Sequence, residues 1–306
     1  MKKVLSDIKP YLRWVILGLT IFFLAKTLKD NWEQVLEIRI SDSGWVSLGT
    51  AFIITTMAHV WSAVVWFWII KEFHQKVDLR WAIRVYLLTN LAKYLPGNIW
   101  HFYGRVTATK QVGVTAEIAI LSVLIEPVLM AAAALGVALV GSTQENLFLQ
   151  FLCFLVVISI IHPRILNPVI KYLVKIKLKV SKSDSKAVTE LKLKRYPIKP
   201  FLGEICFVLI RGSGFLLTIL AFNPVELNHV LLIFSAFSLA WLLGLVVPGA
   251  PGGVGVFEAT ALALLEQKFS PGILLSAVAF YRLISVLAET FAAGLAWLEQ
   301  KKSKLN

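Results

Sequence analysis

Long apolar blocks separated by short polar or basic stretches run the length of the chain. They lie at residues 13–28, 45–70, 81–95, 114–140, 147–161, 201–222, 230–247, 254–265 and 273–297. A helix rises 1.5 Å per residue, so roughly 20 apolar residues cross the hydrocarbon core of a bilayer. The longer blocks meet that length. The pattern predicts an all-α, polytopic transmembrane helical bundle, forming a single transmembrane domain over residues 1–306. Two blocks, 81–95 and 254–265, fall short, and each adjoins a Pro-Gly break. The first block follows Met1-Lys2-Lys3 and superficially resembles a signal peptide. It lacks a small-x-small cleavage site and is closed by Lys26 and Lys29, so it reads as an uncleaved first span.

Composition supports this picture. Of 306 residues, 58% are hydrophobic and 16% charged, against roughly 45–50% and about 25% in an average soluble domain. The net charge of +13 could serve nucleic acid or an anionic membrane surface. Here the basic residues lie between apolar blocks, where they act as topology signals and lipid-headgroup contacts. No soluble basic domain is left to carry a nucleic-acid interface. Residues 163–200 form a basic loop, with Lys171, Lys175, Lys177, Lys179, Lys192, Lys194 and Arg195 among its cations against Asp184 and Glu190. The positive-inside rule places it in the cytoplasm. Lys2, Lys3, Lys76, Arg80, Lys110, Lys301 and Lys302 agree, and the loops around Asp42, Glu145 and Glu226 are acidic or neutral. The expectation is a multi-pass protein of the cell's inner membrane with both termini cytoplasmic. Cys153 and Cys206 sit in apolar stretches without a CxxC spacing, and the five histidines form no HExxH pattern, so neither a metal nor a cofactor is expected.

This orientation requires residues 81–103 to enter and leave on one side, as a re-entrant hairpin turning at Leu95-Pro96-Gly97-Asn98. Likewise 230–247 runs into Val247-Pro248-Gly249-Ala250-Pro251-Gly252-Gly253 before a short apolar helix. Proline removes a backbone donor, and glycine allows close backbone approach. Non-helical backbone at membrane depth is tolerated only where protein buries it or it lines a wet cavity. Paired interruptions in two halves of a chain point to a transporter-type site. Pro96, Gly97, Pro248, Gly249, Pro251 and Gly252 are therefore the break or hinge residues. Gly253 and Gly255 precede a short helix whose N-terminal N–H groups could meet an anion such as a lipid phosphate. The glycine run lacks the Gly-Lys-Ser/Thr ending of a nucleotide-binding loop.

Charges inside apolar blocks need a partner or a task, because each costs on the order of 2.5–3.5 kcal/mol to insert. Arg105, Glu126, Arg211, Glu258, Arg282 and Glu289 are the candidates for a polar, lipid-binding cavity, and Glu126 is followed by Pro127. Arg211 lies beside Gly212-Ser213-Gly214, and Arg282 and Glu289 share a helical face. Glu204 lies near a block end and reads as an interfacial or ion-paired group. Arginine suits a phosphate, since its planar fork donates two hydrogen bonds at once.

The strings Tyr94-Leu95-Pro96-Gly97-Asn98 through Arg105, and Pro248-Gly249-Ala250-Pro251-Gly252-Gly253-Val254-Gly255-Val256-Phe257-Glu258, resemble the two signatures of the lysylphosphatidylglycerol synthase transmembrane region family. That family includes the flippase portion of bacterial multiple-peptide-resistance-factor proteins. The resemblance implies a helical domain with re-entrant helices that binds or moves phospholipids. In two-part members a soluble C-terminal domain transfers an amino acid to the lipid. This chain ends at Asn306, just after its last apolar block, so the synthase activity is not expected here and the protein is not read as an enzyme. The leading expectation is binding and translocation of an anionic phospholipid or lipid-linked headgroup. The alternatives are a membrane-embedded enzyme on a lipid-linked substrate, with Glu126 or Glu258 as acid/base, and a non-catalytic partner subunit of a separate lipid-modifying enzyme.

Overall fold

A computed structural model describes residues 39–95, 99–141, 147–165, 167–168, 196–247 and 251–305, together with residues 26, 29, 32 and 33. Pro96, Gly97, Pro248 and Gly249 lie outside the described residues, as do most of the first apolar block and of the 163–200 loop.

The described residues form helices and turns, with no strand among them. In chain order the helices are α1 (Asp42–Glu72), α2 (Leu79–Asn90), α3 (Trp100–Gln111), α4 (Ala116–Gly141), α5 (Leu147–Ile161), α6 (Ile198–Leu220), α7 (Leu227–Val246), α8 (Val256–Leu265) and α9 (Pro271–Leu305). Short 3-10 turns at Leu91–Tyr94 and Pro251–Gly253 follow α2 and precede α8. Each apolar block that falls on described residues becomes a helix, and the polar flanks supply the caps. Ser41 Oγ accepts from the Gly44 N–H at 3.1 Å to start α1, and Asp78 accepts from the Trp81 N–H at 3.1 Å to start α2. Pro271 opens α9, where its missing N–H costs nothing.

Helices α1, α4, α6, α7 and the Pro271–Lys302 part of α9 are long and apolar enough to cross a membrane. Polarity is distributed accordingly. Ile53, Met57, Leu209, Leu231, Leu287 and Phe291 face outward, whereas His59, Arg105, Glu126, Glu204, Arg211 and Glu289 are buried. A surface so broadly apolar around a charged interior is unlike that of a soluble monomer and suits lipid as the outer solvent. The chain is a multi-pass membrane protein. The other helices are shorter. α2 and α3 have 12 residues each, about 18 Å of rise, too little to span the ~30 Å core.

Lipid tails are as apolar as leucine, so the bundle gains its stability from close packing rather than from water exclusion. α1 packs along α6, α4 along both α6 and α7, and α9 against α1, α2 and α6. Small residues set the approach. A Cβ on Gly214 would lie 2.7 Å from Thr55 Oγ1 and 3.7 Å from the Ala51 carbonyl of α1. One on Gly141 would lie 2.0 Å from the Leu231 carbonyl of α7. At the centre, Phe215, Phe237, Phe257 and Tyr281 stack or meet edge to face with centroids 5.3–5.8 Å apart. This aromatic block joins α6, α7, α8 and α9. Cys153 faces outward rather than lying buried, and Cys206 is partly covered.

Gly141→Ala should lower the melting temperature in detergent, with an overpacking cost of about 1–3 kcal/mol. The backbone carbonyl of Leu231 cannot yield unless α7 moves. Gly49 has nothing within 4 Å of its would-be Cβ. Gly49→Ala should therefore leave the melt unchanged or raise it slightly. Equal melts for the two variants would show that the α4–α7 contact is not close packed.

Candidate functional site

A cavity of about 580 Å³ lies among α1 to α9, each of which contributes to its lining. Its polar lining includes His59, Tyr86, Lys93, His101, Arg105, Glu126, Arg211, Arg282, Ser285 and Glu289, and Gly252 and Gly253 form part of its wall. On the side of α4, α5 and α7 the lining is apolar, with Leu124, Val128, Met130, Val157, Ile160 and Trp241. Sequence-predicted Arg105, Glu126, Arg211, Gly253, Arg282 and Glu289 are thus brought to one space. Glu258 and Gly255 do not line it; they stand behind Arg282.

Three charge clusters divide the polar lining. In the first, Arg105 of α3 donates to Glu126 Oε2 of α4. Tyr86 of α2 donates to Glu126 Oε1 at 2.7 Å, and the hydroxyls of Tyr86 and Ser62 are 2.7 Å apart. The Arg105 guanidinium also lies over the Tyr86 ring at 4.3 Å. Pro127 cannot donate to the Val123 carbonyl, which loosens α4 beside Glu126.

In the second cluster, Lys93 from the turn before the first break donates to Glu289 Oε1 of α9. His59 Nε2 of α1 lies 3.3 Å from that oxygen and 3.1 Å from Arg211 Nη1. Arg211 itself donates from Nη1 and Nη2 to Ser285 Oγ at 3.0 Å each. Among the described residues no carboxylate stands at bonding distance from Arg211. Its Nε carries no hydrogen bond there, and neither do Arg105 Nε, His101 Nδ1 and Glu289 Oε2.

The third cluster holds the second break. Arg282 of α9 donates from Nε to Glu258 and from Nη1 and Nη2 to the carbonyls of Gly252 and Gly253 at 2.8 Å each. Glu258 Oε2 accepts the Gly255 N–H at 2.6 Å. The helix end read from sequence as open to an anion is therefore already met at Gly255 by the chain's own carboxylate. Gly252, Gly253 and Gly255 have φ of +61°, +74° and +88°, a region that favours glycine. A Cβ on Gly252 would lie 2.8 Å from the Tyr94 ring. The residues flanking the two breaks therefore touch.

Sequence reasoning missed Lys93, His59, Tyr86 and Ser285. Lys93 had a visible signal, a cation inside an apolar block that also holds Arg84. The others are ordinary residues until packing turns them inward. Glu204 also differs from its reading as an interfacial or paired group. It is 0% exposed, and neither of its carboxyl oxygens has a hydrogen-bond partner among the described residues. Beside it, Gly203 admits Val65 and Trp68 of α1, which would lie 2.7 and 3.0 Å from a Cβ there. No group of three or more His, Cys, Asp or Glu among the described residues could hold a metal ion.

No protein-family model matches the chain, and no curated protein is similar to it in sequence. The site therefore has to be interpreted from its own geometry.

Breaking one cluster from one side should cost more than dissolving it. Glu126→Gln leaves Arg105 a buried cation without its counter-charge, and should destabilise the protein by about 3–5 kcal/mol. Adding Arg105→Met should recover most of that loss. Denaturant titration of the two variants in detergent measures this. A double variant no more stable than Glu126→Gln would mean that the two groups are not coupled.

Proposed function

We propose that this protein binds an anionic phospholipid or lipid-linked headgroup in the central cavity and carries it across the membrane. One observation carries the reading: the buried Arg211 bonds only neutral partners, so the cavity holds a cation in excess. Lys93, Arg105, Arg211 and Arg282 bring four positive charges, against Glu126, Glu258 and Glu289. A surplus cation in a low-dielectric space attracts an anion strongly, and a guanidinium fits a phosphate with two parallel hydrogen bonds. The apolar wall of α4, α5 and α7 suits acyl chains, which would stay in the bilayer while the headgroup enters.

In this reading α2–α3 and the α7–α8 junction are broken or re-entrant hairpins that dip into the membrane and meet at Tyr94 and Gly252. Movement of one against the other would open the cavity first to one side and then to the other. The ion pairs Lys93–Glu289 and Arg282–Glu258 tie both hairpins to α9, so exchange of these partners for phosphate oxygens would release them. Both termini and the 163–200 loop would lie in the cytoplasm, and the membrane would be the inner one. The resemblance of the two Pro-Gly strings to the lysylphosphatidylglycerol synthase transmembrane region family points the same way.

The test is reconstitution with tail-labelled phosphatidylglycerol, or zwitterionic phosphatidylcholine as the net-neutral control, read by external quenching. Labelled phosphatidylglycerol should cross faster than in empty liposomes. Arg211→Ala should weaken its binding about 30-fold or more, the ~2 kcal/mol or larger loss expected for one half of a buried charge pair. Arg211→Lys should restore part of it. Crossing no faster than in empty liposomes would sink the proposal.

A further inference from the structure

Glu204 has no part in the three clusters, yet its setting is the most demanding of any carboxyl among the described residues. It lies on α6, fully buried, with both oxygens unpartnered among the described residues. An ionised carboxyl without a hydrogen bond or counter-charge is the costliest group to hold in an apolar interior, and binding a proton removes that cost. Its position is equally specific. Gly203, its neighbour in sequence, lines a recess of about 450 Å³ with Trp61, Trp68, Glu72, Tyr196 and Lys199. Phe207, one turn along α6, lines the central cavity with Glu126 and Arg105. Glu204 itself lines neither space; its α6 neighbours Gly203 and Phe207 line one each.

The charged groups that act on Glu204 are Glu126 of α4 and Arg105 of α3. α1 presents Trp61, Val65 and Trp68 to this turn of α6, and the Trp61 indole donates to the Gly203 carbonyl at 2.9 Å. Of the ionisable groups of α9, Tyr281 donates to the Arg211 carbonyl of α6 at 3.4 Å, and Arg282 and Glu289 belong to the clusters described above, as does His59 of α1. Lys71 and Glu72 end α1 at the recess. The ionisable residue of α7 is His229, which stacks near Phe269 at the start of that helix.

We propose that Glu204 is a proton-binding site through which entry of an anion into the central cavity is coupled to uptake of a proton. The coupling rests on the anion-binding reading above. A phosphate oxygen that takes the Arg105 guanidinium leaves Glu126 without its cation, a carboxylate in the same low-dielectric wall. Freed of Arg105, the Glu126 carboxylate turns to within hydrogen-bond reach of the Glu204 hydroxyl; the Glu204 O–H bond breaks and its proton forms an O–H bond on Glu126. The Glu204 carboxylate then takes a proton from hydronium entering by the recess. The cavity has gained one negative and one positive charge, so its net charge is unchanged. When the anion leaves and Arg105 returns, the proton on Glu126 is expelled. One proton accompanies each anionic headgroup.

Two measurements on the full chain in proteoliposomes test this. Infrared difference spectroscopy reads the carbonyl band of a neutral carboxylic acid, which Glu204→Gln should remove and Glu204→Asp should retain, each variant being checked by its melt. Tail-labelled phosphatidylglycerol, with a trapped pH dye, reads the coupling. The wild type should redistribute the lipid toward the alkaline side by about tenfold per pH unit, the ratio that one coupled proton imposes. Glu204→Gln should still bind the lipid but lose the redistribution, and Glu204→Asp should keep it. Lipid that crosses with no response to the gradient would overturn the proton coupling and leave the anion reading intact. Lipid that does not cross at all would overturn both. A neutral-acid band unchanged in Glu204→Gln would refute the proton site whatever the lipid does.

Discussion

The structure depends on one constraint: charges carried into an apolar bundle must find one another. Arg105, Glu126, Lys93, Glu289, Arg282 and Glu258 are each held by an opposite charge from a different helix or turn. Each pair spans elements that lipid-facing packing alone would hold loosely. Arg105–Glu126 ties α3 to α4, and Lys93–Glu289 ties the turn before the first break to α9. Arg282 joins α9 to α8 and also holds the carbonyls of the second break. In hydrocarbon the alternative to such a bond is an unsatisfied charge, so the pairs fix register and orientation where apolar contacts are nearly interchangeable.

The same constraint shapes the breaks. The second break leaves the carbonyls of Gly252 and Gly253 without helical donors, and one guanidinium supplies both. Three glycines at positive φ permit that path, and the bare face of Gly252 admits the Tyr94 ring. A break closed by a charged side chain is firm while the pair lasts, because losing the pair would leave both a buried charge and two carbonyls unmet.

Much of the fold could be read from the chain. The expected block at 114–140 becomes α4 at Ala116–Gly141, and the block at 230–247 becomes α7 at Leu227–Val246. α9 runs past its expected end at 297 to Leu305, because a helix continues into a charged flank as readily as into an apolar one. The charged site residues were legible as well, since a charge within an apolar block stands out at insertion cost alone. Their partners were not. Lys93 and Glu289 are 196 residues apart, and Arg211 and Ser285 are 74 apart. Periodicity tells which face a residue occupies but not which helix that face meets. Glu204 shows the converse error. Nearness to the end of an apolar block implied access to water, but the packing of α6 in the bundle buries it fully.

By itself the sequence determined that the chain crosses a membrane as helices, where most helices begin and end, and which charges lie among apolar residues. Those properties follow from local length, hydropathy and backbone chemistry. Only the tertiary structure decided that the residues flanking the two breaks touch, that Arg211 is buried among neutral partners, and that Glu204 is fully enclosed. Those properties arise from the approach of helices far apart in sequence, which depends on the shapes of the surfaces that meet.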